Sequence, residues 1–426
     1  MEATLLLQAM RRPYFLLSTT TPMLLLLWSS VLLHTSDSMA VPAVPSARVA
    51  VLGSGIAGST AARRLAEAGL KVSVFECGFG VGGRTSTRIT RDEHKFAFDH
   101  GAQYIGSPKT EAFRRALTEW EGAGFVQEWK GRVADVATSP TDPKGYAIDQ
   151  DGAGKKRHVG FPRMSSICSN LLDHDNIDIV LQTRACAKYD DEVGRWTLTS
   201  HGDRKELGQF DWLIGGDRLS ATNNRADLRD TPLSSFKDEV EQIESVPILI
   251  LMVAFESPLE QLPYDGITFD GASTEFGSLG WIARDTSKPG RERGDGGECW
   301  VVQSGPEAAK QVLEMAKDEP DFEKRRALVR EKAKELLLND FLGAIQKLSG
   351  GDNAAIPPIA SAVGHRWSAA FPLSKSSQEM DCFADIDNKF IACGDYMGKL
   401  PGRVEGAYVS GSAAAAALLD VNTQSK

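Results

Sequence analysis

Cysteine is scarce in this chain, with six among 426 residues, at Cys77, Cys168, Cys186, Cys299, Cys382 and Cys393. They are scattered, without Cys-x-x-Cys or Cys-plus-His ligand spacing, which argues against a structural zinc or a disulfide framework. The even number permits disulfides without implying them. A positive charge balance is also missing. Lys and Arg number 48 against 57 Asp and Glu, a formal net charge of −9. Nothing therefore draws the chain to a phosphate backbone or an anionic lipid surface, and no nucleic-acid partner is expected. Internal repeats are absent. Past the first forty residues, so is any second apolar run long enough to span a bilayer. What remains, 42% apolar and 25% charged, is the composition of an ordinary globular protein, long enough for one interleaved unit or two domains.

The first forty residues differ in kind. Arg11 and Arg12 precede "PYFLLSTTTPMLLLLWSSVLL", no acid stands between Glu2 and Asp37, and "SMA" (Ser38 to Ala40) closes the segment. A basic start, an apolar stretch around Met23 to Leu33 and a small-residue exit read as a leader, 1–40, for the secretory pathway or an organelle such as the plastid. Uncleaved, Tyr14 to Leu33 would just span a bilayer, with Pro22 and the threonines counting against it. Membrane contact is expected only in that second case.

After the joint "VPAVPSA", "RVAVLG" reads as a buried strand, "AGSTAARRLAEAG" as a helix closed by Gly69, and "KVSVFE" as a second strand. This is a βαβ unit. Gly53, Gly55 and Gly58 form G-x-G-x-x-G between its first strand and its helix. The first glycine permits the turn, the second lets a pyrophosphate approach the backbone, and the third lets helix and strand touch. The helix N-terminus, Ile56 and Ala57 included, then faces the phosphates. Glu76 ends the second strand, where an acid takes a ribose hydroxyl pair, which favours FAD or NAD over 2′-phosphorylated NADP.

Farther along, "FPRMSSICSNLL" (161–172) reads as a helix, and "IDIVLQTRACAKY", "RWTLTSHG", "FDWLIGG" and "PILILMVAFESPL" (247–259) as strands. From Phe322 to Leu348 the chain is charged and helical, with leucines, Phe341 and Ile345 supplying an apolar face that suits a covering helix of a second domain. "KFIACGD" is a strand ending in Gly394 and Asp395, and "PGRVEGAYVSGSAAAAALL" a helix of small residues able to pack tightly.

"GFGVGGRTSTR" narrows the cofactor. Gly80, Gly82, Gly83 and Arg84 resemble the G-x-G-G-R segment of the FAD-binding amine oxidase superfamily, in which backbone and arginine run along the cofactor phosphates. The resemblance implies FAD, with Asp395 at the ribityl chain and Arg403, Val404 and Glu405 at a helix start beside the flavin's pyrimidine edge, where positive dipole favours the reduced ring. It implies a backbone contact from Ala185 to the adenine, and close approach of Gly101, Ala102 and Gln103 to the isoalloxazine. Cys393 precedes the Gly-Asp pair rather than occupying a covalent linkage position, so the FAD is expected to be non-covalent.

"DHGAQYIG", "WIARDTSKPGR", "HRWSAAFP" and "CGDYMGKLPGRVEGAYVSG" narrow it further, because with other segments between Arg48 and Leu419 they resemble renalase-like flavoproteins. That resemblance implies an oxidase that takes hydride from aberrant dihydronicotinamide isomers of NAD(P)H and passes the electrons to O2, giving NAD(P)+ and H2O2. Gln103 and Tyr104 would stand at the substrate and flavin edge, with Asp99 and His100 orienting the loop. Two further readings stay open: an amine oxidase or desaturase of a hydrophobic substrate, and a flavin-bearing binding or signalling protein with little turnover. Two local questions stay open as well. "SKPGR" (Ser287 to Arg291) is either a basic loop near an anionic substrate or a solvated turn. His365, Arg366 and Trp367 either wall the flavin pocket or belong to the core. "WLIGGDRLSATNNR" departs from its relatives at Gly215, Gly216 and Asp217, so its contacts are not carried over.

The expected architecture is α/β: a Rossmann-like FAD-binding domain of the amine oxidase type, from 46–105, 157–240 and 358–421, with an inserted α+β substrate domain from 106–156 and 241–357. No metal site is expected.

Overall fold

Val49, Ala50, Val51 and Leu52 are all buried, so β1 (Arg48–Leu52) lies inside a sheet covered on both faces, as a continuous apolar run requires. The helix α1 (Ile56–Glu67) returns the chain to β2 (Lys71–Phe75), which pairs with β1 in parallel, Val51 opposite Val74. In the computed structural model the described residues are 47–139, 141–142, 144–150, 155–222, 234–269, 276–349, 355–373 and 380–424. The leader expected over 1–40 and the joint after it lie outside them. Among the described residues no helix is long and apolar enough to cross a membrane.

Two large sheets organise the unit Pro45–Lys426. The first has six strands, in the order Phe383–Asp385, Phe390–Ala392, Trp212–Gly215, β1, β2 and Ile177–Val180, parallel except at the first pair. Its neighbours Trp212–Gly215 and Phe390–Ala392 come from far along the chain, so β1 is central although it comes first. The C-terminal helix Val404–Gln424 packs across α1. A Cβ on its Gly411 would stand 2.2 Å from the Ala57 carbonyl oxygen, so the two backbones touch because Gly411 carries no side chain there.

The second sheet has seven strands, in the order Ile359–Pro372, Ser245–Phe255, Glu298–Ser304, Leu279–Arg284, Gly266–Phe269, Val133–Thr138 and Tyr146–Gln150. Ser245–Phe255 pairs antiparallel on both sides, and its residues Leu249 to Phe255 are fully buried. The helix Phe322–Leu348 covers this sheet through Val329, Ala333, Leu337, Phe341 and Ile345, and Phe341 meets Trp300 and Phe255.

Two expectations change. "IDIVLQTRACAKY" is two strands, because Gln182 adopts a left-handed φ of 53° and the chain leaves the six-stranded sheet to begin a small antiparallel one at Ala185–Asp190. The stretch Ile359–Pro372, grouped by its place in the sequence with the FAD-binding part, hydrogen-bonds along Ser245–Phe255 in the second sheet.

Candidate active site

The two glycine-rich turns are packed against each other. Gly53 has φ 95°, and Gly83 has φ 52°. A Cβ on Gly83 would lie 3.3 Å from the Gly55 Cα, and Gly82 donates its amide to the Ser54 carbonyl at 3.0 Å. A Cβ on Gly58 would sit 2.1 Å from the Gly53 carbonyl oxygen, so this third glycine serves the contact of strand and helix. Gly216 closes the same junction, since its Cβ would come within 2.8 Å of the Leu52 carbonyl oxygen, and Asp217 caps the following turn by accepting from the Ser220 amide at 2.8 Å. That accounts for the unusual "GGD".

These turns form one end of a cavity of about 960 Å³. Of the expected cofactor residues, Gly53, Gly55, Ile56, Ala57, Glu76, Gly83, Arg84, Gly101, Ala102, Gln103, Asp395, Arg403, Val404 and Glu405 all line it, as does Tyr104. Gly58 and Ala185 do not, Ala185 being buried in the small antiparallel sheet opposite Ser200. Gly55 caps α1 without a side-chain bond, and no atom beyond its neighbours would stand within 4 Å of a Cβ there, so the first amides of α1 face open space.

The polar side chains show how the cradle is fixed. Glu76 accepts from the Ser54 amide at 3.0 Å, the Ser54 hydroxyl at 2.6 Å and the Gly78 amide at 2.6 Å, which leaves about one of its four lone-pair positions. Arg84 and Asp395 form a bidentate pair with both N···O distances 2.6 Å, and Arg84 also donates to the Ala370 carbonyl at 3.1 Å. The residues expected on phosphate and ribityl chain thus hold each other. Glu405 lines the cavity, yet its carboxylate accepts from the amides of Lys109 and Thr110 and from the Thr110 hydroxyl, fixing the start of the helix Glu111–Gly122. Cys393 is fully buried in the core and does not line the cavity.

The loop after Phe98 crosses the cavity with no room for substitution at Gly101, whose Cβ would overlap the Arg84 carbonyl oxygen at 2.0 Å. Ala102 donates to that same oxygen at 2.8 Å. Gln303, from the second sheet, donates to the Gly101 carbonyl at 2.7 Å. Gln103 spends both amide donors on its own loop, at the carbonyls of Asp99 and Gly101, and its Oε1 accepts from Lys288 at 3.4 Å. It therefore shapes the loop and offers the cavity little hydrogen-bonding capacity. Tyr104 leans on Trp281 and Trp129, with ring centroids 5.6 and 6.4 Å away.

"SKPGR" is neither a basic loop at the cavity nor a solvated turn. Lys288 and Arg291 are buried, at 1% and 8% exposure, in a four-charge cluster with Asp99 and Asp285. Arg291 reaches Asp99 at 2.5 Å and Asp285 at 3.2 Å, while Lys288 reaches Asp285 at 2.5 Å and Asp99 at 3.4 Å. Thr87 and the Met164 amide also donate to Asp99. Burial by itself would raise the Asp99 pKa, but Lys288 and Arg291 outweigh it and hold the carboxyl below the usual carboxylate range. Asp99 is thus a fixed anion that orients the loop.

His100 stacks on Trp367, and Trp367 donates its indole N–H to the His100 carbonyl at 2.8 Å. His365 meets both rings edge-on. Burial, with Arg88 second, pushes the His100 pKa down to about 4, and burial with the neighbouring His100 and Arg330 pushes His365 down to about 3. Both imidazoles are neutral near pH 7. His365, Arg366 and Trp367 all line the cavity.

Residues that the sequence reading left aside also line it: Arg325, Arg326 and Arg330 from the helix Phe322–Leu348, together with Gln303 and Trp281. The three arginines were visible only as part of a charged helical run.

Comparison with known proteins bears on this geometry. Residues 51–120 match the family model described as an NAD(P)-binding Rossmann-like domain. A 251-residue stretch is 24% identical to the tRNA 5-methylaminomethyl-2-thiouridine biosynthesis bifunctional protein MnmC of Marinomonas sp. (strain MWYL1), covering 54% of this chain and 37% of that relative. Among solved structures, cyclohexylamine oxidase from Brevibacterium oxydans IH-35A superposes with a TM-score of 0.61 at 14% identity, over 89% of this chain and all of that one. An oxidoreductase from Methanosarcina mazei gives 0.59 at 12% identity, over 88% and 100%. Putrescine oxidase bound to putrescine gives 0.53 at 14%, over 88% and 99%. The α/β fold, with its Rossmann-like dinucleotide-binding part, is therefore that of the amine oxidase type of oxidoreductase.

Proposed function

We propose that this protein binds FAD non-covalently and oxidises a reduced nicotinamide nucleotide, in the manner of renalase-like enzymes, with O2 as the electron acceptor. The residues at the cradle fit FAD: two facing glycine turns, the open amide end of α1 and one remaining acceptor position on Glu76. At about 960 Å³ the cavity is near the upper end of ordinary ligand sites, ~300–1,000 Å³, as a dinucleotide with a substrate beside it demands. On this reading the six-stranded sheet carries the cofactor and the seven-stranded sheet the substrate.

Bound FAD supplies a two-electron acceptor for hydride that O2 can reoxidise. The chain's own task is orientation. The Gly101 backbone, pinned by Gln303 and by the contact to Arg84, gives the loop a fixed height, and Tyr104 with Trp281, their rings tilted 53° to each other, supplies aromatic surface for a ring to lie against.

One observation carries the choice of donor: among the described residues the cavity lining offers no competent base. Among the described lining residues the acids are Glu76, Asp217, Asp395 and Glu405, and each already accepts hydrogen bonds from backbone, Ser54 or Arg84. The imidazoles of His100 and His365 are depressed to about 4 and about 3, which makes them weak proton acceptors. An amine reaches the reaction as an ammonium ion and must lose a proton. A dihydronicotinamide expels hydride with its own ring nitrogen lone pair and needs no base.

Anaerobic mixing of the FAD-loaded protein with dihydronicotinamide isomers, ordinary NADH and a panel of amines tests this. Bleaching of the flavin band within seconds is expected only with the isomers, followed on aeration by H2O2. Rapid bleaching by amines alone would replace the proposal with amine oxidation, and bleaching by none of them would leave a binding protein.

A further inference from the structure

One part of the cavity lining is strongly basic although the chain carries a net charge of −9. Phe322, Arg325, Arg326, Val329 and Arg330 line it together. Their spacing of i, i+3, i+4, i+7 and i+8 is one face of the first turns of the helix Phe322–Leu348. Arg366 joins them from the strand Ile359–Pro372. Helix and strand are locked at this place, because a Cβ on Gly364 would stand only 2.0 Å from the Arg330 carbonyl oxygen.

Such a face is costly on stability grounds. Arginines at i and i+4, such as Arg326 and Arg330, repel each other. Burial, then Arg326 and Arg88, lowers the Arg330 pKa; burial, then Arg325 and Arg326, lowers that of Arg366. Arg326 has Glu323 at 3.5 Å, a loose exposed pair, and Arg366 donates to the Ser368 hydroxyl at 2.8 Å. Among the described residues the acids lining the cavity are Glu76, Asp217, Asp395 and Glu405, which hold the cofactor cradle and its flanks rather than these arginines.

We propose that Arg325, Arg326, Arg330 and Arg366 form a subsite that receives the phosphate groups of the substrate, clamping a nucleotide so that its nicotinamide ring reaches the loop at Gly101. This rests on the nucleotide-oxidase reading above and adds to it which part of the donor is recognised, and by what. Guanidinium forks suit phosphate oxygens, and a like-charged row can be satisfied by one polyanion. The ring would then lie against Tyr104 and Trp281 by virtue of a tether held at the arginines.

The test uses the FAD-loaded protein, whose own ADP site is filled. Stopped-flow reduction is measured with dihydronicotinamide mononucleotide and dinucleotide isomers and with the uncharged N-alkyl dihydronicotinamides of the same ring isomerism. The expected result is a preference in kcat/KM for the phosphate-bearing donors that shrinks as salt is raised, and that falls roughly 10- to 100-fold in Arg325→Gln/Arg330→Gln and in Arg366→Gln. Calorimetry with ADP-ribose, which cannot donate hydride, is expected to show binding that weakens by a similar factor in the same variants. Equal kcat/KM for charged and uncharged donors at every salt concentration, or ADP-ribose binding that ignores the arginines, overturns the subsite while leaving the oxidase reading intact. ADP-ribose binding that depends on the arginines, without reduction by any nicotinamide, overturns the oxidase reading and keeps the anion subsite. Should a variant fold poorly, the salt dependence of the unaltered protein still decides.

Discussion

Asp99 is the residue whose role changes most between sequence and structure. Beside His100 it has the look of acid/base machinery, yet it is fully buried and held by Arg291, Lys288, Thr87 and the Met164 amide. Its two cationic partners stand 189 and 192 positions away in the chain, so no local pattern could have named them. "SKPGR" was legible as a distinctive basic motif, but burial is a property of the fold, and of the two acids that neutralise it only Asp285 is close in sequence, while Asp99 is not. Substituting Asp99→Asn leaves two buried cations facing Asp285 alone, and breaking such a cluster costs about 3–5 kcal/mol. A drop of that size in urea-unfolding free energy is expected, with loss of bound FAD where the loop slackens. A change under about 1 kcal/mol would show that the cluster is hydrated and weakly coupled.

At the level of elements, the βαβ unit was the most readable part, because G-x-G-x-x-G, a buried strand and a helix of period 3.6 all demand the same arrangement. The helix Phe322–Leu348 was equally clear in extent, yet its arginine face was not, since charges on a covering helix ordinarily face water and only the cavity beneath shows otherwise. Gly411 shows how much a small residue decides. Replacing it with alanine adds about 1 kcal/mol of helix propensity, but the new Cβ would lie 2.2 Å from the Ala57 carbonyl oxygen, and overpacking against backbone costs about 1–3 kcal/mol. The expected balance is a lower urea midpoint and, on the proposed reading, looser FAD, because α1 carries the amides proposed to face its phosphates. A raised midpoint would mean that the two helices part without strain.

At the scale of the whole molecule, charge and pH act together. His100 and His365 titrate near 6.5 when unfolded and near 4 and 3 when folded, so between those values the unfolded chain binds protons that the native state refuses. Stability is therefore greatest above about pH 6.5 and falls as the pH drops toward 4. Asp99 adds its own loss only below its usual range, where its carboxyl finally protonates. Urea unfolding at pH 7, 6, 5 and 4 is expected to show this decline, flattened in His100→Gln/His365→Gln; an unaltered slope in that double variant would assign the decline elsewhere.

The ion pair of Arg84 with Asp395 joins residues 311 positions apart, and the strand Phe390–Ala392 that leads to it lies beside Trp212–Gly215 in the same sheet. During synthesis the glycine turns emerge early, but they lack this wall until the chain has been made past Asp395. Closure of the cavity is thereby tied to synthesis of both segments, and a product interrupted between them carries the dinucleotide fingerprint without the means to close around a ligand.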